Sequence, residues 1–294
     1  MILEEAFIEI SNYLRYNYID SYTNKTNSSN DIISDADIYC NNVIKKNIKK
    51  INYNIIGFIS EENKDIFFFD VIKKTKKNYI IAFDPLDGSS NVSSNINSGS
   101  IYIIYEYDYI KNCFSNIIKA GYCLYGPSTI LVETFDNEVK MYILNNKNNF
   151  EYVKDIVFKN NTNNKIYSIN SSNEYNNDIN NLIRLYKQNN YKQRWIGTMV
   201  ADCHRILLND GIFIYPGSSR NKNGKIRLFY EALPFAYIFH LAGGIGINDG
   251  YQNILESCNL YDINFIHTKI GIILCSKKEY ENLNNILDLL EDKN

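Results

Sequence analysis

Phe83-Asp84-Pro85-Leu86-Asp87-Gly88-Ser89-Ser90-Asn91 follows the apolar run Tyr79-Ile80-Ile81-Ala82, so it reads as the point where a buried strand stops and the chain turns outward. Pro85 fixes φ there, and Gly88 permits a positive φ or the close approach of a ligand to the main chain. Two carboxylates three residues apart on such a turn, followed by Gly-Ser-Ser-Asn, offer hard oxygen ligands for a divalent cation. Beside them stand N–H and hydroxyl groups suited to a phosphate. A bare D-x-x-D-G string is explained as well by an ordinary turn with Ser89 or Ser90 as a helix N-cap. The full nine residues shift the balance toward metal-assisted phosphate chemistry.

Working outward toward the N-terminus, Ile55 to Ile59 reads as a short buried strand ending at Ser60-Glu61-Glu62, and adjacent acids just past a strand stand out beside Asp84 and Asp87. Leu3, Phe7, Ile10, Leu14 and Tyr18 fall at helical spacing within residues 2–19. Tyr22 to Asn30 is Ser/Asn-rich and predicts a loop. Asp31 and Asp37 flank a second helical pattern carrying Ile38, Val43, Ile44, Ile48 and Ile51.

Downstream, alternation and β-branched or aromatic content predict strands at Phe67 to Ile72, Tyr79 to Phe83, Ile101 to Tyr107, Gly121 to Tyr125, Thr129 to Glu133 and Val139 to Leu144. A composition shift at Asn160 to Asn164 marks the expected boundary between two halves. Beyond it come strands at Ile166 to Ile169, Ile212 to Tyr215, Ile226 to Phe229 and Ile270 to Cys275. Helices are predicted over 174–188, Met199 to Leu208, Glu231 to Leu241 and onward from Lys277. The alternation of helix and strand places the chain in the α/β class.

Composition narrows the function classes. With 294 residues and 45% apolar content the chain can bury a substantial core. A net charge of −2 excludes a global basic footprint for nucleic acid or an anionic membrane. No apolar run approaches the length of a membrane span. No charged-then-apolar leader precedes Glu4 and Glu5, and the expected location is the cytoplasm. The 6 cysteines include no C-x-x-C pair and are expected as reduced, packed thiols. The 3 histidines, His204, His240 and His267, show no zinc spacing and are expected to be structural.

The nine-residue stretch resembles the metal-binding signature of the fructose-1,6-bisphosphatases, within the wider lithium-sensitive, magnesium-dependent sugar and inositol phosphatases. Arg194-Trp-Ile-Gly-Thr-Met-Val-Ala-Asp-Cys-His-Arg205 with Gly211-Ile-Phe-Ile-Tyr-Pro216, and Asn223-Gly-Lys-Ile-Arg-Leu-Phe-Tyr-Glu-Ala-Leu-Pro234, are similar to the carboxy-terminal half of the same family. The three motifs stand in the right order, and the resemblance covers nearly the whole chain, from about Leu3 to the final helix. The resemblance implies a layered α-β-α-β-α sugar phosphatase fold, with residues 1–163 as a metal-binding half and 164–294 as a sugar-phosphate-binding half.

By resemblance, Glu61, Asp84, Asp87, Glu231 and the Leu86 carbonyl are metal ligands, with Asp31 assisting a further ion. Asp37 and Glu62 are the pair that orients and deprotonates the attacking water. Two unit charges about 5 Å apart repel by roughly 3 kcal/mol at an effective dielectric near 20, so a cluster of these acids requires cations or raised pKa values. Two or three Mg²⁺ ions per site, or Mn²⁺ in their place, meet that requirement. Gly88, Ser89 and Ser90 hold the 1-phosphate. Asn170, Met199, Tyr215 and Lys225 match contacts to the sugar and second phosphate, and Arg194 matches an arginine lent by a neighbouring subunit of a homotetramer. Lys225 and Arg227 read as strand neighbours of which only one faces the site, and the motif favours Lys225.

Departures from the pattern sharpen the expectation. Trp195 stands where the family shows Tyr, and can donate only through its ring N–H; Asn173 stands where another Tyr is expected. Sedoheptulose 1,7-bisphosphate is therefore the nearest competing substrate, an inositol-phosphate phosphatase a second reading, and a non-catalytic regulatory homologue a third. The start of the chain lies downstream of the family's AMP-binding helix, and Glu106 stands where relatives inhibited by AMP carry a phosphate-binding arginine. AMP inhibition is accordingly not expected. The function implied is Mg²⁺-dependent hydrolysis of the 1-phosphate of fructose 1,6-bisphosphate, a step of gluconeogenesis.

Overall fold

Glu4–Tyr16 forms the first helix, α1, because Ala6, Phe7 and Ile10 recur on one face and are fully buried, while Glu4 and Glu5 sit in the first turn where carboxylates complement the helix dipole. The computed structural model describes residues 1–17, 22–26, 32–51, 53–69, 77–160, 164–172, 174–257 and 266–291. The segment expected as a loop contains a strand, β1 (Tyr22–Thr26), paired antiparallel with β2 (Ile32–Ser34). Tyr and Thr favour extended backbone, which the Ser/Asn-rich setting concealed. Helix α2 (Asp35–Ile48) opens with a capping box: Asp37 N–H donates to Ser34 Oγ at 3.1 Å, and Ser34 N–H donates to Asp37 Oδ2 at 2.8 Å. Asp37 thus lies inside the first turn rather than ahead of the helix.

Eight strands among the described residues then build one sheet: β3 (Ile55–Ser60), β4 (Phe67–Phe68), β5 (Asn78–Asp87), β6 (Ser98–Asp108), β7 (Cys113–Tyr125), β8 (Ile130–Phe135), β9 (Glu138–Leu144) and β10 (Phe150–Asp155). Their order is β10-β9-β8-β7-β6-β5-β3-β4, parallel between β3 and β5 and antiparallel elsewhere. The strand expected at Phe67 to Ile72 is only two residues long where described, and residues 70–76 lie outside the described set. Strand β5 continues past Phe83 to Asp87, with a register shift between Asp84 and Asp87. Such a bulge bends the strand and re-aims its side chains.

The remainder comprises β11 (Ile166–Ser168), α3 (Asn177–Gln188), β12 (Lys192–Gln193), α4 (Met199–Asn209), β13 (Ile212–Tyr215), β14 (Ile226–Arg227), α5 (Leu233–Leu241), β15 (Gly244–Asn248), α6 (Ile254–Ser257), β16 (Lys269–Ile270), β17 (Ile272–Ser276) and α7 (Lys277–Glu291). A second sheet runs β12-β11-β13-β17-β15, and β14 pairs with β16. The strand expected at Ile226 to Phe229 ends at Arg227, and the helix expected from Glu231 begins at Leu233. Between them Leu228–Ala232 makes a wide π-helical turn, a form common at functional sites.

Alternation along the central strands sorts the layers. On β5 and β6, Ile81, Phe83, Tyr102 and Ile104 point to α1 and α2, against Phe7, Ile10, Cys40 and Ile44. Ile80, Ala82, Ile101 and Ile103 point the other way, to a core shared with Ile206 of α4, Phe235 and Phe239 of α5, and Phe213, Ile272 and Leu274 of the second sheet. That sheet's far face, with Tyr167, Ile212, Ile214 and Ile273, is covered by Ile179, Leu182 and Tyr186 of α3 and Leu283 of α7. The result is an α-β-α-β-α stack. Each fully buried aliphatic side chain contributes about 1.5–3 kcal/mol, so the two faces of β5 lock the Asp84 end of that strand between layers.

Candidate active site

The acids converge at the C-terminal ends of the parallel pair β3 and β5. Ser60 pairs with Phe83, and Glu61 N–H donates to Phe83 O at 3.3 Å, so the Glu61-Glu62 turn lies directly beside Asp84. Ser60 Oγ donates to Asn41 Oδ1 of α2 at 2.9 Å and accepts from Glu62 N–H at 3.2 Å, fixing the turn from the other side. Glu231 arrives on the π-helical turn, whose Phe229 carbonyl accepts a 2.7 Å hydrogen bond from Tyr105 of β6. Carboxylate oxygens of Glu61, Asp84 and Glu231 lie within 4.8 Å of one another.

Asp87 faces the same cleft and also binds the start of α4, accepting from Val200 N–H at 2.8 Å and from the Thr198 hydroxyl. Asp84 Oδ1 accepts Leu86 N–H at 2.9 Å, which curls the strand end inward. Gly88 sits at φ 75°, and a Cβ there would come 2.7 Å from Thr198 Cβ, so both conformation and space require glycine. Ser89 and Ser90 open a short 3₁₀ turn after it, and both line the cleft.

The cleft has about 260 Å³ of room, and its wall also includes Asp37, Glu62, Leu86, Trp195, Met199, Tyr215 and Lys225. These are the positions expected from sequence. Asp31 and Asn173 lie outside the described residues. Asn170 and Arg194 do not line the cleft. Asn170 Oδ1 instead accepts from Ser172 N–H at 3.2 Å and Ser172 Oγ at 2.6 Å, and the exposed Arg194 donates Nη1 to Gln193 O at 2.9 Å.

One correction concerns Arg227. The expectation is that only one of Lys225 and Arg227 faces the site, yet both line the cleft: Lys225 stands at a bend just before β14, and Arg227 on that strand is drawn in by Glu61 and Glu231. Arg227 Nη2 lies 2.8 Å from Glu61 Oε1 and Nη1 3.9 Å from Glu231 Oε1, and its N–H donates to Glu231 Oε2 at 2.6 Å. Its position two residues after Lys225 was the signal that could have found it, since residues two apart on a strand share a face. Phe213 is a further wall residue that the motifs did not mark, standing beside the Trp195 ring with centroids 6.4 Å apart.

Electrostatically the cluster is strained. Burial first, then Glu61 and Asp37, push the Glu62 carboxyl up to about 8. Burial pushes Glu231 up to about 8 as well, against the opposing pull of Arg227. Asp84 is raised well above the carboxylate range by burial and then by Glu61 and Glu231, and Asp37, Glu61 and Asp87 are raised chiefly by burial. Glu62 Oε2 is buried with no hydrogen-bond partner in the structure. Arg227 offsets only part of the charge of acids buried this closely, and hard oxygen donors at this spacing suit a divalent cation.

Models of the fructose-1,6-bisphosphatase N-terminal and C-terminal domains match residues 4–155 and 160–288. The chain belongs to the fructose-1,6-bisphosphatase family. It is 36% identical over 266 residues to the class 1 fructose-1,6-bisphosphatase of Campylobacter hominis, spanning 90% of each chain. It is 32% identical over 274 residues to mouse fructose-1,6-bisphosphatase 1, spanning 87% of this chain and 78% of the mouse protein. The structure overlays that of Leishmania major fructose-1,6-bisphosphatase in holo form with a TM-score of 0.86 and 27% identity, covering 97% of this chain and 92% of the other. Membership in this family implies a divalent metal, and the Glu61, Asp84 and Glu231 oxygens fit one.

Proposed function

We propose that this chain hydrolyses the 1-phosphate of D-fructose 1,6-bisphosphate to fructose 6-phosphate and inorganic phosphate, in a cytoplasmic, gluconeogenic role. The convergence of Glu61, Asp84 and Glu231 carries this reading, since these acids come from separate parts of the chain and gather where the phosphate-suited Gly88-Ser89-Ser90 turn begins. Together with Asp87 and the Leu86 carbonyl they would hold two or three Mg²⁺ ions, or Mn²⁺, with Asp31 assisting one of them. When bound, such ions polarise the phosphoryl group and lower the pKa of water.

The rest falls to the protein's own groups. Glu62 and Asp37 orient the water, and one of the two takes a proton from it as the water oxygen bonds to phosphorus and the phosphorus–sugar oxygen bond breaks; that proton is then returned to the sugar oxygen, while the second water hydrogen stays on the phosphate. An unpartnered Glu62 oxygen is available for that proton. Main-chain N–H and hydroxyl groups of Gly88, Ser89 and Ser90 hold the transferred phosphate. Lys225 stands exposed at the mouth to receive the second phosphate, with Trp195, Met199 and Tyr215 along the sugar path. Asn170 and Arg194 serve this end only by rearrangement or from a neighbouring subunit of a homotetramer, and the exposure of Arg194 favours the latter. Residues 1–163 form the metal-binding half and 164–294 the sugar-phosphate half.

Phosphate release from a panel of fructose 1,6-bisphosphate, sedoheptulose 1,7-bisphosphate and inositol monophosphate, with and without Mg²⁺, tests the reading. Asp84→Asn is expected to abolish metal-dependent release while leaving the circular dichroism spectrum intact. Preferred turnover of inositol monophosphate would overturn the assignment.

A further inference from the structure

His267 is not among the residues lining the cleft and lies two residues before β16, yet it joins two of the turns that carry the acids. Its Nε2 is 2.9 Å from Asn63 O and 3.1 Å from Lys64 O, across a separation of 204 and 203 positions. Its Nδ1 is 2.8 Å from the Tyr230 hydroxyl. Carbonyl oxygens only accept, so Nε2 carries the ring proton and, in the neutral ring, Nδ1 accepts from Tyr230. Burial holds His267 below its ordinary pKa, in keeping with that neutral form. Asn63 and Lys64 follow Glu61 and Glu62 directly, and Tyr230 precedes Glu231.

Other ties hold these turns: Arg227 spans the same gap between the acid side chains, 2.8 Å from Glu61 Oε1 and 3.9 Å from Glu231 Oε1, whereas His267 joins the main chain behind Glu61-Glu62 to the Tyr230 hydroxyl. The Glu61-Glu62 turn is fixed on its inner side by Phe83 O and by the Asn41–Ser60 contact, both within the N-terminal half. The Glu231 turn is fixed by Tyr105 to Phe229 O, and by Leu228 N–H to Thr268 O at 2.8 Å next to the histidine itself. His267 therefore sets the outer side of the first turn against the second. Close spacing of Glu61 and Glu231 is the quantity a shared cation reads, and groups behind a ligand set typically tune metal affinity tenfold or more.

Resting on the phosphatase reading above, we propose that His267 is a positioning residue that holds the Glu61-Glu62 turn and the Glu231 turn at metal-sharing distance. It touches neither substrate nor metal. Changing it loosens the metal site and leaves the sugar end of the cleft in place: Trp195 and Tyr215 stand on other elements, and Lys225 adjoins β14, whose main-chain pairing with β16 does not use the His267 side chain.

Calorimetric titration of the intact chain with Mn²⁺ tests this, alongside steady-state kinetics on fructose 1,6-bisphosphate. His267→Ala is expected to raise the Mn²⁺ dissociation constant about 10- to 100-fold, with KM at saturating metal unchanged. His267→Gln, which keeps an N–H donor for the two carbonyls, is expected to recover part of the affinity. Tyr230→Phe, which removes only the hydroxyl, is expected to weaken Mn²⁺ binding while the ring-to-carbonyl bonds remain, and it decides the matter should the alanine variant fail to fold. Wild-type Mn²⁺ affinity in the folded variants would overturn the proposal, as would an equal loss of sugar and metal binding. If the unaltered chain binds Mn²⁺ but releases no phosphate from the sugar bisphosphate, the functional reading falls and the histidine clamp stands.

Discussion

Arg227 Nη2 and Glu61 Oε1 lie 2.8 Å apart, which sets a buried guanidinium among acids drawn from the opposite half of the chain. The side chains are only 5% and 13% exposed, so this is not a solvent-screened surface pair. Removing one partner of such a pair leaves the other charge buried and costs about 3–5 kcal/mol. Arg227→Met is expected to destabilise the metal-free protein by an amount of that order in urea melts. It is also expected to lower the Mn²⁺ dissociation constant, because the guanidinium and a divalent cation draw on the same Glu61 carboxylate. Weaker Mn²⁺ binding in the variant would show instead that Arg227 helps to arrange the ligands.

The pH dependence of stability follows from the acids themselves. Glu62 and Glu231 are pushed up to about 8 in the folded chain from an ordinary value of 4.5. Between those limits the folded, metal-free protein binds protons that the unfolded chain does not, so ∂ΔG/∂pH is negative and stability falls as pH rises. A bound cation favours the ionised carboxylates and reverses the trend. Thermal melts in chelator are expected to show Tm dropping from pH 5 to pH 8. The increase in Tm on adding Mg²⁺ should be larger at pH 8 than at pH 5.5. A chelated protein whose Tm rises over that range would contradict the account.

Most of the acid cluster was legible in the sequence because Glu61, Glu62, Asp84 and Asp87 follow short continuous apolar runs that read as buried strands. Ile80 to Phe83 and Ile55 to Ile59 declare themselves, and Glu61 and Asp84 come just past them. What escaped were features set by neighbours rather than by local pattern. Strand β10 buries only Phe150 and leaves the rest of its length exposed, so it shows no alternation. Strand β15 reads as Gly-Ile-Gly-Ile, with weak intrinsic preference. A Cβ on Gly246 would come 2.8 Å from Ala236 Cβ, so the glycine is there to let α5 approach the sheet. The π-helical turn that delivers Glu231, the inward face of Arg227 and the reach of His267 to Asn63 all depend on tertiary contacts that no window of sequence displays.

Glu106 bears on regulation. Its carboxylate accepts from Asn116 Nδ2 at 3.0 Å and lies 3.8 Å from Lys77 Nζ, so the position presents a paired anion rather than a phosphate receptor. Micromolar AMP is expected to leave the rate of phosphate release unchanged. Glu106→Arg is not expected to create inhibition by itself, since one cation supplies only part of a nucleotide site. Micromolar inhibition of the unaltered protein, removed by changing Glu106, would refute this.

Trp195 provides a direct view of the sugar end of the cleft. It is the single tryptophan of the chain, lines the cleft, and packs its indole at 5.8 Å from the Tyr215 ring and 6.4 Å from Phe213. Indole emission responds to polarity and to charge at the ring, so a sugar phosphate that fills this end changes it while inorganic phosphate at the Ser89 end changes it less. Titration with fructose 6-phosphate is expected to give a saturable change in emission at 295 nm excitation, an excitation wavelength chosen (roughly) to favour indole over tyrosine. Lys225→Ala is expected to shift that titration to higher concentration by about tenfold, the loss of one charge-assisted contact of roughly 1.5 kcal/mol. Phosphate release by Trp195→Phe should persist with an altered KM, because the ring shapes the path of the sugar and takes no part in moving the proton. An emission spectrum indifferent to fructose 6-phosphate, in a protein that nonetheless turns over the bisphosphate, would place the sugar elsewhere in the cleft.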